Sequence, residues 1–221
     1  TDTLDDVFTL VHEMGHALHS YLSNHTQSVT YAGYKIFVAE VASTCNEALL
    51  MQHLLSKTTE PKRRAYLINH FLEQFRGTLY RQTMFAEFEL WCSEQTRKGQ
   101  PLTAESLNEK YAQLNALYYG EDIEPDPEIA LEWARIPHFY YNYYVYQYAT
   151  GYSAAIALSR RILKEGESAV KDYVQFLSGG CSKDPVDLLK GAGVDMSSPK
   201  PVQDALDLFG TLLDEMEKLM A

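Results

Sequence analysis

"TLVHEMGHALHS", residues 9–20, sets His12, Glu13, His16 and His19 within eight positions, among apolar residues that recur at helical spacing. With about 3.6 residues per turn, His12 and His16 stand one above the other, roughly 6 Å apart, and both imidazoles can reach one ion. Glu13 is turned about 100° away, where it can approach an attacking water without binding the ion. A solvated helix face carries the same residue types, so the setting has to decide. Val7, Leu10, Val11, Met14, Leu18, Tyr21 and Leu22 read as a buried stripe with the two histidines along its margin. Gly15 costs a helix roughly 1 kcal/mol against alanine, which points to a close neighbour at that position.

A catalytic zinc takes three protein ligands, so the His-Glu-x-x-His pattern is incomplete until a third is found. His19 lies seven residues from His12, about 10 Å along the axis, too far for one ion to hold all three histidines. It reads as a histidine at the surface or behind the ligands. The three-histidine class needs H-E-x-x-H-x-x-G-x-x-H, whereas positions 19 and 22 here are His and Leu, which excludes it. The next acidic residues are Glu40 and Glu47, in the helical pattern "IFVAEVASTCNEALLMQHLL", residues 36–55. Glu40 lies between Val38, Val41 and Ala42, where an unpaired carboxylate is costly to bury and a metal would serve as its partner. Glu47, two turns on, is placed to accept a hydrogen bond from a ligand histidine, or else stands as an ordinary exposed carboxylate.

"HEMGHALH" followed by "FVAEVASTCNE", with Glu40 28 residues after His12, resembles the thimet-oligopeptidase-like zinc metallopeptidases, particularly their oligoendopeptidase F branch. "EWARIPHFYYNYYVYQYATGYSAA", residues 132–155, resembles that branch again. The resemblance implies His12, His16 and Glu40 as ligands of one zinc ion and Glu13 as general base. It implies further that His138, Tyr143 and Tyr146 line the cleft and hold the tetrahedral intermediate. Read without the family, seven of the sixteen tyrosines fall between His138 and Tyr152, and such a cluster needs many hydrogen-bond partners if it is buried. Pro137 can start a helix at His138, with Phe139, Tyr143, Tyr146 and Thr150 then on one stripe, a pattern that core packing would equally produce.

Helical periodicity runs through the 221 residues, and alternating β-branched runs are nearly absent. The pattern predicts helices near 4–24, 37–57, 60–98, 103–119, 127–135, 138–164, 167–177, 184–190 and 201–219. Breaks fall at "KGQPLT", "GEDIEPDPE", "SGGCSKDP" and "GAGVDMSSPKP". The fold expected is predominantly all-α: a multi-helix zincin-type catalytic domain over 1–221, with little or no β-sheet. No apolar run approaches 18 residues, so no membrane partner is expected. Cys45, Cys92 and Cys181 are odd in number and widely spaced, which fits reduced thiols in the cytoplasm. A formal charge of −11 argues against nucleic acid as a partner.

Peptidases of this general class hold the substrate backbone on an edge strand, and only eleven residues precede His12. The expectation is therefore the C-terminal portion of a longer enzyme, with the missing N-terminal portion of the same enzyme as a partner. The leading function is zinc-dependent endopeptidase action on short unstructured oligopeptides. Its rival is a catalytically incompetent helical metal-binding fragment or interaction domain. An aminopeptidase is a weaker alternative, because no acidic motif for a free amino terminus is evident.

Overall fold

The computed structural model describes residues 3–220 and, among them, contains helices and turns but no strand. Helix α1 spans Leu4–Thr26 and α2 Ile36–Lys57; α3 spans Pro61–Gln74 and runs through a π turn, Phe75–Tyr80, into α4, Arg81–Arg97. Helix α5 covers Ala104–Tyr119, followed by 3-10 turns at Pro127–Arg135 and Pro137–Tyr140. Helix α6 is Tyr146–Glu165, α7 Glu167–Leu177, α8 Pro185–Gly191 and α9 Lys200–Met220. The chain forms two compact units, Thr1–Phe75 with Thr150–Ala221, and Arg76–Ala149. The all-α expectation holds.

Helix starts follow local chemistry. Thr3 caps α1 reciprocally, its hydroxyl accepting from the Asp6 N–H at 3.2 Å while the Asp6 carboxylate accepts from the Thr3 N–H at 3.1 Å. Glu60 accepts from the N–H groups of Lys62 and Arg63 ahead of α3, with Pro61 at the first helical position. Thr103 and Ser106 repeat the reciprocal cap at α5.

In the first unit, α2 supplies Val38, Val41, Ala42 and Cys45 to a core closed by Ala154, Leu158, Tyr173 and Phe176. Phe75 is fully buried against Phe71, Tyr152 and Phe209. In the second unit, Met84, Phe85 and Phe88 pack with Tyr111, Leu114 and Val145. Glu132 ties that unit together by accepting from the Tyr111 hydroxyl at 2.6 Å and pairing with Arg81 at 2.5 Å.

The face that α1 buries differs from the expected stripe. Phe8, Gly15, His19 and Ser23 are buried, while Val7, Leu10, Met14, Leu18 and Tyr21 are exposed, Leu10 by 62 %. The reason is the close approach of α2. A Cβ on Gly15 would lie 2.5 Å from Ser43 Cα and 2.7 Å from the Ala42 carbonyl oxygen, so only glycine lets the two backbones meet. Backbone proximity turned the helix about its axis, against the apolar periodicity. His19, read as lying at the surface or behind the ligands, is only 1 % exposed, stacked on Tyr34 at a centroid distance of 3.7 Å.

The aromatic segment also departs from expectation. Instead of one helix from His138, a 3-10 turn ends at Tyr140, and Asn142 and Tyr143 take left-handed backbone angles, φ 49° and 58°. Helix α6 begins only at Tyr146, so the stripe of Phe139, Tyr143, Tyr146 and Thr150 does not form. The Tyr143 N–H instead donates to Glu89 Oε1 at 2.6 Å, a contact across 54 residues that periodicity cannot register. The expected helix at 60–98 contains the π turn, and that at 127–135 is 3-10.

Gly15→Ala separates the two meanings of a mid-helix glycine. In open space alanine would stabilise the helix by roughly 1 kcal/mol. Against the α2 backbone it should destabilise the chain by about 1–3 kcal/mol through overpacking, as read by urea unfolding.

Candidate metal centre

The crossing at Gly15 sets Ser43 against α1, and Ser43 sits one turn beyond Glu40. The buried Ser43 hydroxyl donates to the Glu40 backbone carbonyl at 3.0 Å and lies 3.2 Å from Glu40 Oε2. Glu40 Oε2 thereby comes within 3.3 Å of His12 Nε2 and 3.4 Å of His16 Nε2. The imidazoles of His12 and His16 stand edge to face, centroids 4.8 Å apart. Ligand atoms of His12, His16 and Glu40 all lie within 4.8 Å of one another, the only such grouping among the described residues. Two imidazole nitrogens and one carboxylate oxygen form a donor set suited to zinc, with a coordination position left over. The three residues therefore fit a metal.

A second carboxylate stands behind the first histidine. His12 Nδ1 is 2.6 Å from Glu47 Oε1, and the other Glu47 oxygen accepts from Gln74 Nε2 at 2.7 Å. With Nδ1 carrying the proton toward Glu47, Nε2 is left unprotonated and able to ligate an ion, directed at Glu40. Hydrogen bonding to Glu40 and then to Glu47 pushes the His12 imidazole up to about 10, and the same His12 contact holds the Glu40 carboxyl below its ordinary value against its burial. An ion bound at this site would take the place of a proton on His12, because neutral imidazole is the ligand form. Glu13 is exposed, on the neighbouring position of α1 and outside the grouping. Gln74 was not legible beforehand: it lies 27 residues from Glu47 on another helix, and no spacing rule links them.

Residues 3–208 match peptidase family M3. The chain belongs to peptidase family M3. It is 56 % identical to oligopeptidase PepF of Bacillus subtilis (strain 168) over 219 residues, 99 % of this chain and 33 % of that protein. Against the chromosomal oligoendopeptidase F of Lactococcus lactis subsp. cremoris it is 47 % identical, over 99 % of this chain and 36 % of the relative. The crystal structure of oligoendopeptidase-F from Enterococcus faecium matches with a TM-score of 0.88 at 49 % identity, covering 98 % of this chain and 39 % of that one. The chain thus spans about a third of the length of the curated relatives it matches.

The M3 chain carries its remaining candidate residues in the second unit. His138 is half-buried in a cage of phenols, with ring contacts to Tyr141, Tyr144 and Tyr148 and its Nε2 3.5 Å from the Tyr148 hydroxyl. Tyr143 and Tyr146 are exposed, 42 % and 41 %, as are Tyr140 and Tyr141. Four of the seven tyrosines between His138 and Tyr152 therefore stand at the surface rather than within a core. Tyr152, by contrast, is buried with its hydroxyl unpartnered, and burial holds that hydroxyl far above its ordinary value. No described helix is long and apolar enough to cross a membrane.

His19, three residues from His16, gives the region an acid sensitivity. Burial, followed by the charge of His16, lowers its imidazole to about 4 from an ordinary 6.5, and its Nδ1 has no partner. The folded value lies below the unfolded one, so the unfolded chain takes up the proton first as pH falls. The stability that neutral His19 contributes is complete above pH 6.5 and is lost as pH drops toward 4, by roughly 3 kcal/mol in all. Urea unfolding measured across that window should show this decline, and His19→Phe should flatten it.

Proposed function

We propose that this chain carries the zinc centre of an endopeptidase that cleaves short, unstructured oligopeptides. The observation that supports it most is the convergence of His12, His16 and Glu40, backed by Glu47, in a member of peptidase family M3. In this reading His12, His16 and Glu40 hold one zinc ion. When bound, zinc supplies Lewis-acid polarisation of a carbonyl and makes water acidic enough to be deprotonated near neutral pH. Glu13, next to a ligand but outside the ligand grouping, takes the proton of the attacking water and returns it to the leaving amine. Glu47 holds His12 in the tautomer that presents Nε2, and Gln74 holds Glu47.

The same reading assigns His138, Tyr143 and Tyr146 as donors to the oxyanion, on the resemblance of their segment to the oligoendopeptidase F branch. The left-handed backbone at Asn142 and Tyr143 supports a functional role, because such conformations cost of order 1–3 kcal/mol and concentrate at working sites. Names of the relatives, oligopeptidase and oligoendopeptidase, support short peptides as substrates. The free thiols of Cys45, Cys92 and Cys181 suit a reducing compartment, the cytoplasm in this reading.

Elemental analysis should find about one zinc per chain, and Glu40→Ala should remove most of it. Glu13→Gln should retain zinc yet lose most peptide hydrolysis, since an amide accepts no proton from water. Full activity in a zinc-loaded Glu13→Gln protein would overturn the assignment of the base.

Removal of the Tyr143 hydroxyl by Tyr143→Phe should lower kcat about a hundredfold or more with KM nearly unchanged, if that phenol meets the oxyanion. Normal turnover per folded molecule would return Tyr143 to a structural role.

A further inference from the structure

A cavity of about 560 Å³ lies wholly within the second unit. That volume is in the range of small-molecule sites, which are mostly apolar and carry a few placed polar groups. One wall is a single face of α4: Phe88, Glu89, Cys92, Ser93 and Thr96 recur at helical spacing. Trp133 and Phe139 face it. Phe88 stands 5.3 Å from Phe139 and 6.5 Å from Trp133 by ring centroids, and the Trp133 Nε1–H donates to Asn108 at 2.8 Å. The aromatic walls are therefore held in place before anything binds.

Glu89 is the anomaly. It is only 9 % exposed and lines this cavity, and its carboxylate has one hydrogen bond, from the Tyr143 N–H, and no cationic partner among the described residues. A buried carboxylate is costly unless paired, and burial accordingly pushes its carboxyl above the ordinary range. Arg97 lines the cavity from the exposed last turn of α4, eight residues and about 12 Å along the axis from Glu89. Arg97 makes no ion pair with the Glu89 carboxylate, and the shift of that carboxyl shows no contribution from it.

We propose that this cavity binds a primary ammonium group carried on an aromatic or branched aliphatic body, with Glu89 as its counter-ion and Phe88, Trp133 and Phe139 as its walls. The ammonium supplies the missing partner of the carboxylate, and an aromatic face attracts a cation in addition to packing against the apolar body. Arg97 disfavours a second cation at the far end. The site uses none of the residues proposed to hold zinc; Tyr143, assigned above to the oxyanion, lines it, and the test below reads binding alone, so its outcome is distinguishable from failure of the peptidase reading.

The test compares phenethylamine with its neutral isostere 2-phenylethanol, by calorimetry and by chemical-shift changes of the Trp133 indole N–H. Phenethylamine should bind at least tenfold more tightly. In Glu89→Gln that preference should collapse to near unity, because the amide keeps an oxygen to accept from the Tyr143 N–H but loses the charge. Thr96→Trp, which fills the cavity from its rim, should abolish binding of both compounds while the helical circular dichroism is retained. Equal affinity for amine and alcohol in the unaltered chain would overturn the proposal. So would a preference that survives Glu89→Gln, binding that survives Thr96→Trp, or no binding of the amine at all.

Discussion

Contact between the backbones of α1 and α2 at Gly15 governs what the first unit can do. Ser43 approaches so closely that any side chain at position 15 would collide with its Cα and with the Ala42 carbonyl. That approach brings Glu40 of α2 to His12 and His16 of α1 and sets Glu47 behind His12. A second consequence is that α1 buries polar and small residues, His19, Ser23 and Gly15, while much of its apolar stripe stays exposed. Helix packing and site assembly are here the same event.

The layers behind His12, His16 and Glu40 explain how flexible side chains hold a fixed geometry. Ser43 donates to Glu40, Glu47 accepts from His12, and Gln74 donates to Glu47, so three residues on α2 and α3 restrain the rotamers and the tautomer of the grouping. Each link is charge-assisted or part-buried, where hydrogen bonds count for more than at the surface. Half-burial of Glu40 suits an ion site: the carboxylate is shielded enough to favour a cation and open enough to admit one.

The second unit shows the same economy with a carboxylate in a different role. Glu89 spans from α4 to the turn at Tyr143 and accepts a backbone N–H that no regular ladder would satisfy. That bond helps to hold two consecutive left-handed residues that are not glycine, and so orients the exposed tyrosines around them. A buried, singly bonded carboxylate beside preformed aromatic walls then gives the adjoining cavity its chemical character.

Local chemistry in the chain determined a good deal. Helical periodicity set the all-α class and most helix limits, because capping residues and Gly- or Pro-rich breaks act over a few positions. The His12–His16 pair was visible for the same reason, while Glu40, 28 residues after His12, was one of two acidic candidates that the resemblance to the oligoendopeptidase F branch singled out. Tertiary structure alone decided which side of α1 faces inward, since a backbone contact at one glycine outweighed an apolar stripe. It alone decided that the tyrosine segment breaks before Tyr146, because the bond that ends the pattern comes from Glu89, 54 residues earlier. Gln74 and the cavity beside Glu89 likewise arise from contacts between segments far apart in the chain, and short-range periodicity carries no trace of those.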